Sequence, residues 1–137
     1  MARKISGGCL CGAVKFVVND SFDKFYFCHC IQCRKVSGSS HASNLFTTTQ
    51  HIKWLSGLDK IVRFDHKQGE FTKVFCSQCG SGLPYQSLSS ESLIVPAGSL
   101  GEEPSLAPQA QIFCGEKAGW FTAGISAPEN SRYESYD

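Results

Sequence analysis

Seven of the eight cysteines in this 137-residue chain lie in three short groups, and this clustering constrains the fold more than any other feature. The groups are a CxC pair (Cys9, Cys11), a CxCxxC triplet (Cys28, Cys30, Cys33) and a CxxC pair (Cys76, Cys79). Thiolates one or two residues apart can bind one tetrahedral zinc ion at about 2.3 Å, whereas disulfides more often join residues distant in sequence. The spacing therefore favours zinc over a disulfide scaffold.

Seven thiolates divide naturally into four plus three. A structural zinc site uses four protein ligands, while a catalytic one uses three and leaves a position open for water or substrate. One site of each kind is the simplest interpretation. If the first and last pairs share an ion, that ion joins the first strand region to a loop far along the chain. The triplet, contained within residues 28–33, could form a site by itself.

Composition indicates one domain, residues 1–137, with 42% hydrophobic and 18% charged residues. The net charge is +1, from 13 basic and 12 acidic residues, so the excess of positive charge typical of nucleic-acid binding is missing. No run approaches the roughly 20 apolar residues of a membrane span, and the N-terminal sequence does not resemble a signal peptide. We expect a soluble, cytoplasmic protein without membrane contact, in a reducing compartment. The oligomeric state cannot be predicted.

Short runs rich in aromatic and β-branched residues, separated by turn signals, predict an all-β or β-dominated domain. The predicted strands are 13–18, 24–28, 43–48, 61–65, 71–76 and 92–97. A single short helix is predicted from about Cys30 to Gly38. The polar C-terminal segment 123–137 is predicted to be an extended or loosely docked tail.

Five further residues are candidates with alternative interpretations. His29 lies between two triplet cysteines, but its backbone position should direct it away from a shared ion. Cys114 is isolated in an apolar run, which favours a small buried side chain over a fourth ligand. Arg34 and Lys35 could bind a carboxylate of an anionic ligand, balance the charge of a three-thiolate zinc, or lie on a solvated helix face. His41 has no ligand-like spacing and is predicted to be a surface or partly buried polar residue.

Four segments carry a family resemblance: GGCLCGAVKF, CHCIQCRKVSGS, FCSQCGSGL and PQAQIFCGEKAGW. Together they resemble the glutathione-dependent formaldehyde-activating enzyme family, also called the centromere protein V family, over about residues 5–122. The resemblance implies an Mss4-like fold of bent antiparallel sheets. It implies two zinc ions, a structural one on Cys9, Cys11, Cys76 and Cys79 and a catalytic one on Cys28, Cys30 and Cys33. Many members have a histidine where this chain has Gln111.

The same resemblance implies a carbon–sulfur lyase that condenses glutathione with formaldehyde, or a related small aldehyde, to an S-hydroxymethyl adduct. A zinc ion with an open position can polarise the carbonyl or lower the pKa of a bound thiol. Cys28, Cys30 and Cys33 are then the candidate catalytic residues, and Arg34 and Lys35 the candidate substrate-binding residues. The main alternative is a non-catalytic zinc-binding interaction or chaperone-like module. Nucleic-acid association is a third hypothesis, which the charge balance does not favour.

Overall fold

The computed structural model describes residues 3–67 and 71–133, and within these ranges the chain forms ten strands and two α-helices. The strands are β1 (Lys4–Gly8), β2 (Lys15–Asn19), β3 (Lys24–Cys28), β4 (Ala42–Thr48), β5 (Ile52–Ser56), β6 (Ile61–Asp65), β7 (Thr72–Cys76), β8 (Tyr85–Gln86), β9 (Ser92–Pro96) and β10 (Ala110–Ile112). The helices are α1 (Ile31–Ser37) and α2 (Gly119–Ile125). Neither helix of this described part has the length or apolar composition that a bilayer crossing requires.

The strands form three sheets in the described residues, in the orders β1-β2-β5, β10-β3-β4-β9-β8 and β6-β7. Every pairing between these strands is antiparallel except that of β10 with β3, which is parallel. The β-dominated prediction is therefore confirmed, and all six predicted strands form to within two residues at their ends. The sequence did not predict β1, β5, β8 or β10. The glycines of β1 and the length of two residues for β8 weaken their strand signals.

Two apolar clusters form the core. The larger one contains Phe16 and Val18 of β2 together with Val74 of β7, and it includes Cys9 and Cys76. The smaller one lies on the five-stranded sheet around Leu45 and Val95. Three partly buried residues, Phe22, Ile52 and Leu100, pack against both clusters and join them. The cysteines at the ends of β1 and β7 are thus fixed to the main core rather than to a surface loop.

Helix α1 lies where the sequence predicted it. Cys30 is its N-cap residue, and the Cys30 sulfur accepts a hydrogen bond from the Cys33 N–H, as a serine oxygen does at many helix N-termini. Gly38 ends the helix in the left-handed conformation (φ 64°) and donates its N–H to the Arg34 carbonyl.

The turn that follows β10 packs onto the start of α1. After β10, Phe113 adopts a left-handed φ of 56°, and the short turn that follows brings the Glu116 carboxylate to the Ile31 N–H at 2.9 Å. This bond satisfies one of the free amides at the helix N-terminus. Helix α2 then covers the first three residues of the segment predicted as a tail, and residues 134–137 of that segment lie outside the described ranges. Cys114 is exposed in the turn, so the prediction that it is a buried core residue is wrong.

Candidate metal centres

Four cysteines, two near the N-terminus and two just past the middle of the chain, meet in one group. The Sγ atoms of Cys9, Cys11, Cys76 and Cys79 all lie within 4.8 Å of one another. Cys9 Sγ is 3.6 Å from Cys11 Sγ, and Cys11 Sγ is 3.9 Å from Cys76 Sγ. Four sulfurs at about 2.3 Å from a tetrahedral ion would be about 3.8 Å apart. The spacing of the sulfurs therefore fits one enclosed metal ion.

Two tight turns bring these sulfurs together. Behind the first pair, the Gly12 N–H donates to the Cys9 carbonyl at 3.1 Å, and behind the second the Gly80 N–H donates to the Cys76 carbonyl at 2.7 Å. Both glycines have a left-handed φ, 82° and 76°, which other residues rarely adopt. The glycine that follows each pair in sequence is therefore required by the turn that presents the thiols.

Hydrogen-bond donors surround this group. The Cys9 sulfur accepts from the Val14 N–H, and the Cys76 sulfur accepts from the Gln78 N–H. The Ser81 hydroxyl accepts from the Leu10 N–H at 3.0 Å and lies 3.3 Å from the Cys79 sulfur, so that it links the two turns.

These donors affect the thiols differently. The hydrogen bond from Ser81, with backbone N–H groups, lowers the pKa of Cys79 to about 5. The pKa of Cys9 is lowered because hydrogen bonds from Val14 and from neighbouring cysteines outweigh the opposing effect of burial. Burial raises the pKa of Cys76 despite its backbone donors. Two of the four thiols are therefore already disposed to ionise, as metal ligands must.

The second group consists of Cys28, Cys30 and Cys33, whose Sγ atoms also lie within 4.8 Å of one another. Cys28 ends β3, Cys30 caps α1 and Cys33 lies in its first turn, so one strand-to-helix junction supplies all three. Cys28 and Cys33 are buried, while Cys30 is partly exposed. Burial raises the pKa of Cys28 and raises that of Cys33 strongly. Two buried thiols that are costly to ionise, next to a third cysteine, fit a site whose charge a bound cation would balance.

Among the described residues His29 is not part of this group, in agreement with the sequence prediction that it is not a ligand. It is fully buried, and its Nε2 atom donates to Oε1 of Gln111 at 2.7 Å. Its ring packs edge-on against Phe121 of α2 and tilts against His41, which stacks on Phe27 at 4.3 Å. The Nδ1 atom of His29 has no hydrogen-bond partner among the described residues. Gln111 is thus the hydrogen-bond acceptor for a buried histidine that lies between two residues of the three-cysteine group in sequence.

A cavity of about 200 Å³ adjoins the three-cysteine group. Cys33 forms part of its wall, together with His41, Lys73 and Tyr85. Burial, with the charge of nearby Cys33 and Cys28, raises the pKa of Tyr85 to about 12, so its hydroxyl stays protonated at neutral pH. Burial lowers the pKa of Lys73, although the charge of Cys33 opposes this effect. The cavity therefore offers a neutral hydrogen-bond donor and a cation beside Cys33.

A larger groove of about 760 Å³ lies next to this cavity. The two share five lining residues: Val36, Ser37, Lys73, Pro96 and Gly98. Much of the groove wall is glycine, including Gly7, Gly8 and Gly101, so backbone amides and carbonyls are accessible there. Its volume lies within the range of sites for small organic ligands. The groove and the cavity are therefore adjacent, and Cys33 lines the cavity.

Comparison with known proteins decides the family. The family model described as glutathione-dependent formaldehyde-activating enzyme matches residues 4–116. This chain belongs to that family. The resemblance proposed from the cysteine motifs is thereby confirmed, and the match includes all seven clustered cysteines.

The fold has also been observed before. The chain is similar to a protein from Rhodobacter sphaeroides of known crystal structure, with 22% identity and a TM-score of 0.60. The similarity covers 77% of this chain and 98% of that protein. At this level of identity the comparison supports the fold of this chain alone. It does not assign a role to any residue.

The other predicted site residues of this family member, Arg34 and Lys35, lie outside the two cysteine groups. Arg34 donates to the Glu116 carbonyl at 2.9 Å, and with Lys35 it lines a separate cavity of about 300 Å³ beside Trp120. Substrate contact by these two residues stays a prediction. Among the described residues Cys114 is not part of either cysteine group.

The sequence pattern did not indicate Lys73 or Tyr85 as site residues. Both come from strands distant from the triplet, and no local pattern marks them as site residues. Only the alternation of FTKVFC, which sets Lys73 on the opposite face of β7 from Val74 and Cys76, could have drawn attention to the lysine.

Proposed function

We propose that this protein is a zinc-dependent carbon–sulfur lyase that joins glutathione to formaldehyde, or to a related small aldehyde, as an S-hydroxymethyl adduct. The observation that carries the proposal is the cavity at Cys33. The three-cysteine group adjoins a cavity of about 200 Å³ that shares five wall residues with a groove of about 760 Å³, and this leaves room for a substrate beside Cys33. The family match supports the same substrates.

Zinc would be held in both groups, by Cys9, Cys11, Cys76 and Cys79 in one and by Cys28, Cys30 and Cys33 in the other. At the second site, bound zinc supplies Lewis acidity toward an aldehyde oxygen and lowers the pKa of a coordinated thiol.

The reaction itself is redox-neutral. A bond forms between the thiol sulfur and the aldehyde carbon, the carbonyl becomes a single C–O bond, and the thiol proton ends on that oxygen. Tyr85 lines the cavity and remains protonated, so it can donate a hydrogen bond to the oxygen as negative charge develops there. The small cavity fits an aldehyde of one or a few carbons, while the groove fits the tripeptide.

The test is the rate of adduct exchange measured by NMR, since thiols and formaldehyde also combine without a catalyst. Zinc-loaded protein should accelerate exchange between glutathione and S-hydroxymethylglutathione. Cys30→Ser should abolish the acceleration and remain folded, because serine is a favourable N-cap and can accept the Cys33 N–H.

The matched control is Cys114→Ser, which removes an exposed thiol outside both groups and should retain full acceleration. If folded, zinc-loaded wild-type protein accelerates exchange with neither glutathione nor any small thiol, the lyase proposal fails and the non-catalytic module is favoured. Unchanged acceleration by folded Cys30→Ser would equally exclude the three-cysteine group as the reaction centre.

A further inference from the structure

Lys73 is placed where the groove meets the cavity. It lies on β7, half-buried, and it is one of the residues that line both spaces. Its side chain passes over Gly82, where a Cβ atom would stand 2.6 Å from the Lys73 Nζ. The glycine therefore gives the ammonium group room to reach the junction.

No carboxylate of the described residues is paired with this ammonium group. Among the described residues Lys73 forms no ion pair and no hydrogen bond through its side chain, and neither the groove nor the cavity has an aspartate or glutamate in its described wall. A partly buried cation without a partner is unfavourable unless an anion binds beside it. The groove contributes one more cation, the exposed Lys15 at its edge. The groove and the cavity are thus suited to a negatively charged ligand.

The position of Lys73 relative to the three-cysteine group indicates which part of a bound ligand Lys73 contacts. Lys73 and Cys33 line the same cavity, yet no hydrogen bond joins their side chains. A thiol held at the cysteine group would therefore leave Lys73 free for another part of the same molecule. In a thiol peptide that part is a carboxylate, and the glycine-lined groove can hold the peptide backbone beside it.

We propose that Lys73 is a specificity-determining residue that binds a carboxylate of the thiol substrate in the groove, so that the site selects anionic over neutral thiols. This inference depends on the proposed function for the identity of the thiol, but its test measures binding without aldehyde. Lysine presents a compact charge that suits a single carboxylate oxygen.

The experiment compares glutathione with its diamide, in which both carboxylates are neutral amides, by calorimetry on zinc-loaded protein. Lys73→Met retains the length and packing of the side chain and removes its charge. We expect glutathione to bind about 10- to 100-fold more weakly to Lys73→Met than to wild type, and the diamide to bind equally to both. Lys53→Met, which removes an exposed lysine of β5 outside both spaces, should leave both affinities unchanged.

Gly82→Ala is a second variant that retains the charge but moves it. The added Cβ displaces Nζ, which is the mobile end of a flexible side chain, and Gly82 has no left-handed φ that alanine would strain. This variant should also weaken the binding of glutathione and leave the affinity for the diamide unchanged. Metal content and thermal midpoint, measured for each variant, show whether the fold and the zinc sites are retained.

Five results would overturn the proposal. Equal weakening of glutathione and the diamide would indicate a structural role for Lys73, and unchanged glutathione binding to Lys73→Met would exclude the contact. A fall in kcat with unchanged KM and unchanged binding would place Lys73 at the aldehyde oxygen instead. If wild-type protein accelerates adduct exchange but binds the diamide as tightly as glutathione, the Lys73 proposal fails while the lyase proposal stands. If zinc-loaded wild type binds neither ligand, glutathione is not the substrate and both proposals fail.

Discussion

The four-cysteine group should provide much of the stability of this domain, and Cys76→Ser tests this directly. Cys76 is fully buried at the end of β7, in the same apolar cluster as Val74 and Phe16. Its sulfur lies 3.9 Å from that of Cys11, which belongs to the other turn. An ion bound here ties two distant parts of the chain to each other and to the core.

The expected magnitude follows from the coordination. Structural zinc contributes about 10 kcal/mol or more to folding in small domains, and an ordinary domain is stable by about 5–15 kcal/mol in total. Serine at position 76 would leave three thiolates and bury a hydroxyl group in an apolar cluster, so we expect a loss of about 5 kcal/mol or more. At about 3 °C per kcal/mol for a domain of this size, the thermal midpoint should fall by about 15 °C or more.

Scanning calorimetry combined with metal analysis measures both quantities on the same sample. Cys114→Ser, which substitutes an exposed thiol outside the group, is the matched control and should match wild type in midpoint and metal content. Cys30→Ser should stay within about 5 °C of wild type, because its serine can cap α1. The reasoning is refuted if Cys76→Ser loses metal from the four-cysteine group and still melts within about 3 °C of wild type.

Three further substitutions test the packing and the electrostatics. Phe16→Ala removes a fully buried ring and should destabilise the domain by about 3–5 kcal/mol in urea unfolding, and a loss below about 1 kcal/mol would contradict the core assignment. Gly57→Ala should be at least as damaging, because Gly57 has φ 79° and a Cβ would lie too close to the Ala13 carbonyl; a midpoint equal to wild type would count against this turn. Burial raises the pKa of Asp20, but hydrogen bonds from Ser105 outweigh it and leave the pKa lowered, so its contribution to stability is full above about pH 4 and is lost as the pH falls further. Wild type should therefore exceed Asp20→Asn in stability at pH 7, with the difference shrinking below pH 4, and a difference that is constant over pH 3–7 would exclude this account.

Both cysteine groups could be recognised from sequence because the geometry of metal ligation is largely local. A CxC or CxxC turn ending in glycine presents two sulfurs on one side, and Gly12 and Gly80 adopt the conformation that such turns require. The position of α1 was predictable for the same reason, since the Cys30 cap and the Gly38 stop are set by neighbours in sequence.

The surroundings of the three-cysteine group could not be predicted, since they depend on tertiary packing. Lys73 and Tyr85 line a cavity with Cys33 only because the folded chain brings β7, β8 and α1 to the same cavity. The placement of Cys114 was wrong for a related reason. Its apolar run ends at Phe113, whose left-handed φ turns the chain outward before the cysteine, and the sequence QIFCG gives no sign of this. The same turn delivers Glu116 to the start of α1, a contact that spans 85 residues of sequence.

Strand β7 connects the two metal groups through its alternation. Thr72, Val74 and Cys76 are buried, while Lys73 between them is half-buried and lines the groove and the cavity. Because a shift of one residue in register exchanges the two faces of a strand, it would withdraw Cys76 from the four-cysteine group and Lys73 from the groove together. The pairing of Cys76 with Ile61 and the hydrogen bond from Leu83 to Val74 fix this register on both edges of the strand. A metal ion bound by the four-cysteine group would therefore also set the position of the cation at the proposed substrate site.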